Sequence, residues 1–149
     1  MNLCTFTLSG RVFGVDILHV KEVVMRVRIA PVPHAPSDVA GLVNIRGKLH
    51  LVADLGRIFG FPPAARFEDA SVVLFKPAVG ESFGVIVDAP GDVVPIEEST
   101  IEDRRAGEAA DVVDERRKAR PGLALGVAKR ASGLIVVLDS KAILPSVGN

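Results

Sequence analysis

Short apolar runs of strand character recur along the chain, some of them alternating with polar positions at a period of two, the pattern of half-buried strands. Residues 3–8 (LCTFTL) predict a strand, Ser9-Gly10-Arg11 a turn, and residues 12–18 (VFGVDIL) the returning strand. The strand pattern continues over 19–24, with Val20, Glu22 and Val24 on one face and Lys21 and Val23 on the other. Residues 26–29 are basic and β-branched. Pro31, Pro33 and Pro36 then interrupt regular structure, because each deletes a backbone donor and holds its predecessor extended. Ser37 can cap a single helical turn over 38–40.

The stretch GLVNIRGKLHLVADLGRIF, residues 41–59, organises the middle of the chain. Two apolar runs, 41–45 and 48–53, flank Arg46-Gly47 and predict a tight hairpin, since such turns need positive φ and glycine adopts it without strain. Arg46 is a long cation at the turn tip, where a side chain either faces water or offers a five-donor fork on a well-held base. Asp54 predicts the cap of a short helix through Phe59, ended by Gly60 and Pro62-Pro63. Beyond it, 71–75 and 82–88 form a second strand–turn–strand, 92–96 an extended piece, and 123–127 and 133–138 two further strands. Asp139 opens a closing helical turn stopped by Pro145. Residues 97–121 carry no apolar periodicity, end in DERRKARP, and predict the most mobile loop.

An internal duplication follows from two echoes. Phe13-Gly14-Val15 recurs as Phe83-Gly84-Val85, and the run Leu49–Asp54 recurs as Leu134–Asp139. Each copy is near the size at which one core is marginal alone, so the two are expected to pack on a shared apolar seam. The expected fold is mostly β: two pseudo-repeated small β-barrels with short helical turns, in one domain over 1–149. The first barrel is placed at about 10–65 and the second at about 66–144, with exchange of terminal segments allowed.

Composition narrows the function. The chain has 149 residues with 18 basic and 18 acidic, a balance that favours neither nucleic acid nor an anionic membrane. Seven Phe with no Tyr or Trp leave little platform for stacking bases, which weighs against a small-barrel nucleic-acid binder. Cys4 is alone, which excludes an intramolecular disulfide, and reads as a small buried apolar residue. No run reaches the ~18 apolar residues of a membrane span. A cytoplasmic protein without direct membrane insertion is expected.

The search for chemistry yields no catalytic set. His19, His34 and His50 lie in different elements without metal-ligand spacing, and a lone strand histidine is ordinarily structural or solvent-facing. There is no G-x-S-x-G elbow, no G-x-G-x-x-G and no phosphate loop. Asp54 and Asp139 read as helix caps rather than an acid/base pair. No cofactor, no metal and no enzymatic activity are expected. What remains is a binding surface, with Arg46 and the Val20/Glu22/Val24 face as candidates; the plainer alternative for that face is an ordinary half-buried strand.

The chain resembles the CheW-like family, the adaptor domains of bacterial chemosensory arrays. The resemblance is carried by FTLSGRVFGVDILHVKEV at 6–23, VPHAPSDVAGLVNIRG at 32–47, ADL at 53–55, FGVIVDAPGDVVPIEESTI at 83–101 and GLIVVLDSKAIL at 133–144. It implies two five-stranded SH3-like barrels. It also implies a non-enzymatic adaptor joining the regulatory domain of a CheA-type histidine kinase to the cytoplasmic tip of a methyl-accepting chemoreceptor, at arrays on the inner face of the membrane. The implied receptor surface maps onto Val20, Glu22, Gly41, Asn44 and Arg46; kinase contacts are implied at barrel ends without assigned residues. Lys48, His50, Leu51 and Gly56 depart from the family pattern within or beside the central hairpin, so partner choice can differ. The alternative is a divergent scaffold of the same fold serving non-flagellar motility or a nucleotide-signalling cascade.

Overall fold

The computed structural model describes residues 1–62, 67–79, 82–103 and 122–148. Among them run eleven strands: β1 (Asn2–Leu8), β2 (Arg11–Asp16), β3 (Val20–Val27), β4 (Val39–Ile45), β5 (Lys48–Asp54), β6 (Ala70–Phe75), β7 (Phe83–Val87), β8 (Ala89–Pro95), β9 (Glu102–Asp103), β10 (Ala124–Arg130) and β11 (Gly133–Leu138). Two short helices, α1 (Leu55–Phe59) and α2 (Ser140–Ser146), follow β5 and β11. Asp54 caps α1 by accepting from the Arg57 N–H, and Asp139 caps α2 by accepting from Lys141. Both caps are as the sequence predicts. Pro145 lies inside the last turn of α2 rather than beyond it, because a helix this short loses little when one late donor is missing.

The strands form two sheets, in the orders β8-β1-β2-β11-β10-β9 and β3-β6-β7-β5-β4. The fold is mostly β, as expected. The sheets divide the chain differently from a split near residue 65. One takes β3 to β7 from a continuous stretch, and the other combines β1 and β2 with β8 to β11. The cause is visible in the parallel pairings. Phe83 and Gly84 of the second copy lie beside Leu51 and Val52 of the first. Phe13 and Gly14 of the first lie beside Val136 and Val137 of the second. The duplicated segments therefore exchange partners in the same register, and each sheet is a composite of both copies.

The correspondence extends to the sheet edges. In one sheet the chain leaving edge strand β3 reaches the opposite edge, where Ala30 and Leu42 exchange hydrogen bonds of 2.8 and 2.9 Å. In the other, the chain leaving β8 makes a 3₁₀ turn at Glu98–Thr100 and pairs through β9 with β10, Glu102 opposite Val127. Residues 97–103 are thus structured rather than part of a loop; the rest of the expected mobile segment, 104–121, lies outside the described residues.

Each sheet buries both faces, and strand alternation sends successive residues to different cores. In β6, Val73 and Phe75 join the shared core while Val72 and Leu74 join a core private to their sheet. In β11, Val136 and Leu138 face the shared core and Ile135 and Val137 a private one. Continuous apolar runs in these strands follow from that double burial. The shared core is the largest, and it carries all the phenylalanines but Phe67: Phe13 stacks on Phe59 at 5.3 Å and Phe75 on Phe83 at 4.8 Å between centroids.

One local expectation is corrected. Val20 does not share a face with Glu22 and Val24. A β-bulge between Val20 and Glu22 shifts the register, so Val20 and Val23 pack on the shared core and Val24 on the private one. The Ser37-capped helical turn is likewise replaced by a plain turn, since β4 already begins at Val39.

Candidate functional site

The β4–β5 hairpin turns on Arg46 and Gly47, with φ of 51° and 85°. Two successive positive φ values make the primed turn whose twist matches the flanking strands. Asn44 spends its side chain on this turn: its Oδ1 accepts from the Gly47 N–H at 2.9 Å. The tip is therefore fixed from within, and Arg46 leaves it in one direction.

That direction leads to Glu22. The Arg46 Nη2 donates to both carboxylate oxygens, at 2.6 and 2.7 Å. Arg46 is 69% exposed at its side chain and Glu22 29%, so the pair contributes at most about 1 kcal/mol to stability. Its geometric effect is larger than its energetic one. Strands β3 and β4 are the opposite edges of their sheet, and the ion pair ties those edges at the hairpin end, as the Ala30–Leu42 bridge does further along. Only Nη2 is engaged with Glu22, which leaves Nε and Nη1 pointing from a held side chain.

The five residues implied by the resemblance separate into two groups. Glu22, Asn44 and Arg46 come together at the hairpin tip. Val20 is 8% exposed within the shared core. Gly41 is buried where β4 passes the Ala30 carbonyl, and a Cβ there would collide with that oxygen.

A residue the sequence reading set aside also belongs to this region. His50 is buried, on the same side of β5 as Val52, which packs in the private core of its sheet. Burial pushes its pKa down; Lys21, Lys48 and Arg46 push the same way, and Glu22 opposes them. The imidazole thus sits at the hairpin-end mouth of that core, within electrostatic reach of Lys21, Lys48, Glu22 and Arg46. Its alternation with Val52 was the available signal.

A depressed folded-state pKa has a definite consequence. Protonation favours the unfolded chain, so the contribution of neutral His50 is complete above the unfolded value of about 6.5 and is lost as pH falls through the lower folded value. The melting temperature is expected to fall between pH 7 and 5 more steeply in the wild type than in His50→Leu. Parallel acid limbs in the two proteins would show that His50 is not responsible.

Elsewhere the chemistry is sparse. No cluster of metal-ligating side chains exists among the described residues. Cys4 is buried, and burial raises its thiol pKa away from the reactive thiolate. Among the described residues no helix is long and apolar enough to cross a membrane.

Two exchanged β units on a common apolar core, with the polar surface organised at a rigid, ion-paired hairpin tip, define a small β scaffold. The chain matches the family model of the CheW-like domain over residues 2–148 and belongs to that family. It is 26% identical over 144 residues to the chemotaxis protein CheW of Rhizobium meliloti (strain 1021), covering 97% of this chain and 87% of the relative. It is 24% identical over 144 residues to the chemotaxis protein CheW of Bacillus subtilis (strain 168), covering 95% and 85%. The crystal structure of the scaffolding protein TtCheW from Thermoanaerobacter tengcongensis superimposes with a TM-score of 0.74 at 29% identity, covering 93% of this chain and 88% of that one.

Proposed function

We propose that this protein is a non-enzymatic coupler that joins the cytoplasmic tip of a methyl-accepting chemoreceptor to the regulatory domain of a CheA-type histidine kinase. It works in the cytoplasm at receptor arrays. The family membership and the chemotaxis relatives support this reading. The observation that carries it is Arg46: exposed, held on a primed turn by Asn44 and oriented by Glu22, with guanidinium donors to spare. Helical receptor tips offer carboxylates and terminal backbone carbonyls as acceptors, which a guanidinium can engage in parallel and an ammonium cannot. Ordering such a side chain beforehand lowers the entropic cost of binding.

The test is a titration of receptor cytoplasmic fragment and kinase regulatory domain against wild type, Arg46→Ala and Arg46→Lys. Arg46→Ala is expected to weaken receptor binding roughly thirtyfold, the effect of losing about 2 kcal/mol at a central arginine. Arg46→Lys should keep the Glu22 contact and recover only part of that loss. Kinase binding and the melting temperature should change little, because the ion pair is exposed. Unchanged receptor affinity in Arg46→Ala sinks the reading; a collapsed melting temperature would make Arg46 a structural residue only.

A further inference from the structure

The mouth described above carries more positive charge than the chain around it. The sequence as a whole balances 18 basic against 18 acidic residues. At the hairpin tip, Glu22 and Arg46 neutralise each other, which leaves exposed Lys21 and Lys48 as the unbalanced charges beside them. Lys21 directly precedes Glu22 in β3 and Lys48 pairs with Ile45 beside the turn, so both lie next to the ion pair; both also act on His50, where Glu22 opposes them. The basic character continues along the edge: β3 contains Arg26 and is followed by Arg28, and no acidic residue occurs between Glu22 and Asp38. Next to the tip, Leu49 is 57% exposed and pairs directly with Asn44, which adds an apolar contact beside the cations.

Lys21 and Lys48 leave this end of the sheet with a net positive charge, and like charges gathered there repel one another. An acidic partner would relieve that repulsion. We infer that this mouth selects its partner by charge: the receptor tip that fits it presents acidic side chains around an apolar contact, with Lys21 and Lys48 as the selecting residues. This deepens the coupler reading and rests on it. Complementary fields of this kind mainly govern the association rate and the choice among similar partners.

The experiment compares wild type, Lys21→Gln/Lys48→Gln and Lys21→Glu/Lys48→Glu as full chains. The probe is the cytoplasmic fragment of a chemoreceptor from the same genome, with its tip Asp and Glu residues intact or replaced by Lys. The Gln pair is expected to lower the association rate by about tenfold at low ionic strength and to flatten its salt dependence. The Glu pair should prefer the Lys-substituted fragment, reversing the wild-type order. The Gln pair should not lower the melting temperature, since it removes like-charge repulsion without adding charge. Equal rates and equal salt dependence for all three chains overturn the inference, and the lysines are then only the charges of an edge strand. If that happens while Arg46→Ala still weakens binding, the coupler reading stands without it. If the wild type binds no receptor fragment, the coupler reading fails and the inference fails with it.

Discussion

Fragments 1–65 and 66–149, expressed separately, are expected to show no cooperative unfolding transition, and mixing them in equal amounts to restore one. The reason is the exchange of strands between the two copies. Fragment 1–65 holds β1 to β5 but lacks β6 and β7, which lie between β3 and β5 in the sheet. Fragment 66–149 lacks β1 and β2, which lie between β8 and β11. Fragment 1–65 retains two separate hairpins and the stray β3, and fragment 66–149 the β6-β7 hairpin, the β10-β11 hairpin with the two-residue β9, and the stray β8; isolated hairpins are marginal in water. Each also keeps only part of the shared core, with Phe13 and Phe59 on one fragment and Phe75 and Phe83 on the other. Circular dichroism melts and size-exclusion chromatography of the fragments, alone and mixed, provide the check. A cooperative melt from either fragment alone would show that a copy folds without its counterpart.

Gly41→Ala is expected to destabilise the protein by about 3 kcal/mol or more, a fall of roughly 10 °C in melting temperature for a chain of this size. Its Cβ would be driven into the Ala30 carbonyl, a backbone atom fixed by its own hydrogen bonds to Leu42. The backbone cannot retreat without opening the bridge that joins the two edges of the sheet. Gly126 occupies the matching place in the other sheet, against the Glu102 carbonyl, and Gly126→Ala should behave alike. Gly47→Ala is the contrast: φ is 85° there but nothing stands within 4 Å, so the cost is that of the left-handed backbone alone, about 1 kcal/mol. Differential scanning calorimetry of the three variants ranks them. Receptor binding lost in Gly41→Ala would then follow the loss of fold, and a normal melting temperature with impaired binding would make Gly41 a contact residue instead.

Much of this structure could be read from the residues in order. The central hairpin, its turn at Arg46-Gly47 and the helices capped by Asp54 and Asp139 are all local features, and the duplication shows as a repeated pattern in the residues themselves. Period-two alternation, a turn glycine and a capping carboxylate act within a few residues, so the chain states them directly. The composition also carried the weight against nucleic acid, and the quoted motifs carried the family. Of the candidate site, Arg46 at the turn tip was legible locally, but its contact with Glu22 was not, and Arg46 was expected to be held by its strands alone.

Tertiary structure decided the rest. Which strand lies beside which in a parallel pair depends on contacts made far along the chain, so Phe13 beside Val136 and Phe83 beside Leu51 were not legible, nor was the composite make-up of each sheet. A bulge moves every later side chain to the other face, and the one after Val20 took that residue into the shared core without any mark in the local pattern. Gly41 looked like any strand glycine until the Ala30 carbonyl arrived from outside its hairpin. His50 and the lysines around it acquired a common environment only when the edges of the sheet were brought together. Local chemistry set the elements, and long-range pairing set which of their side chains meet.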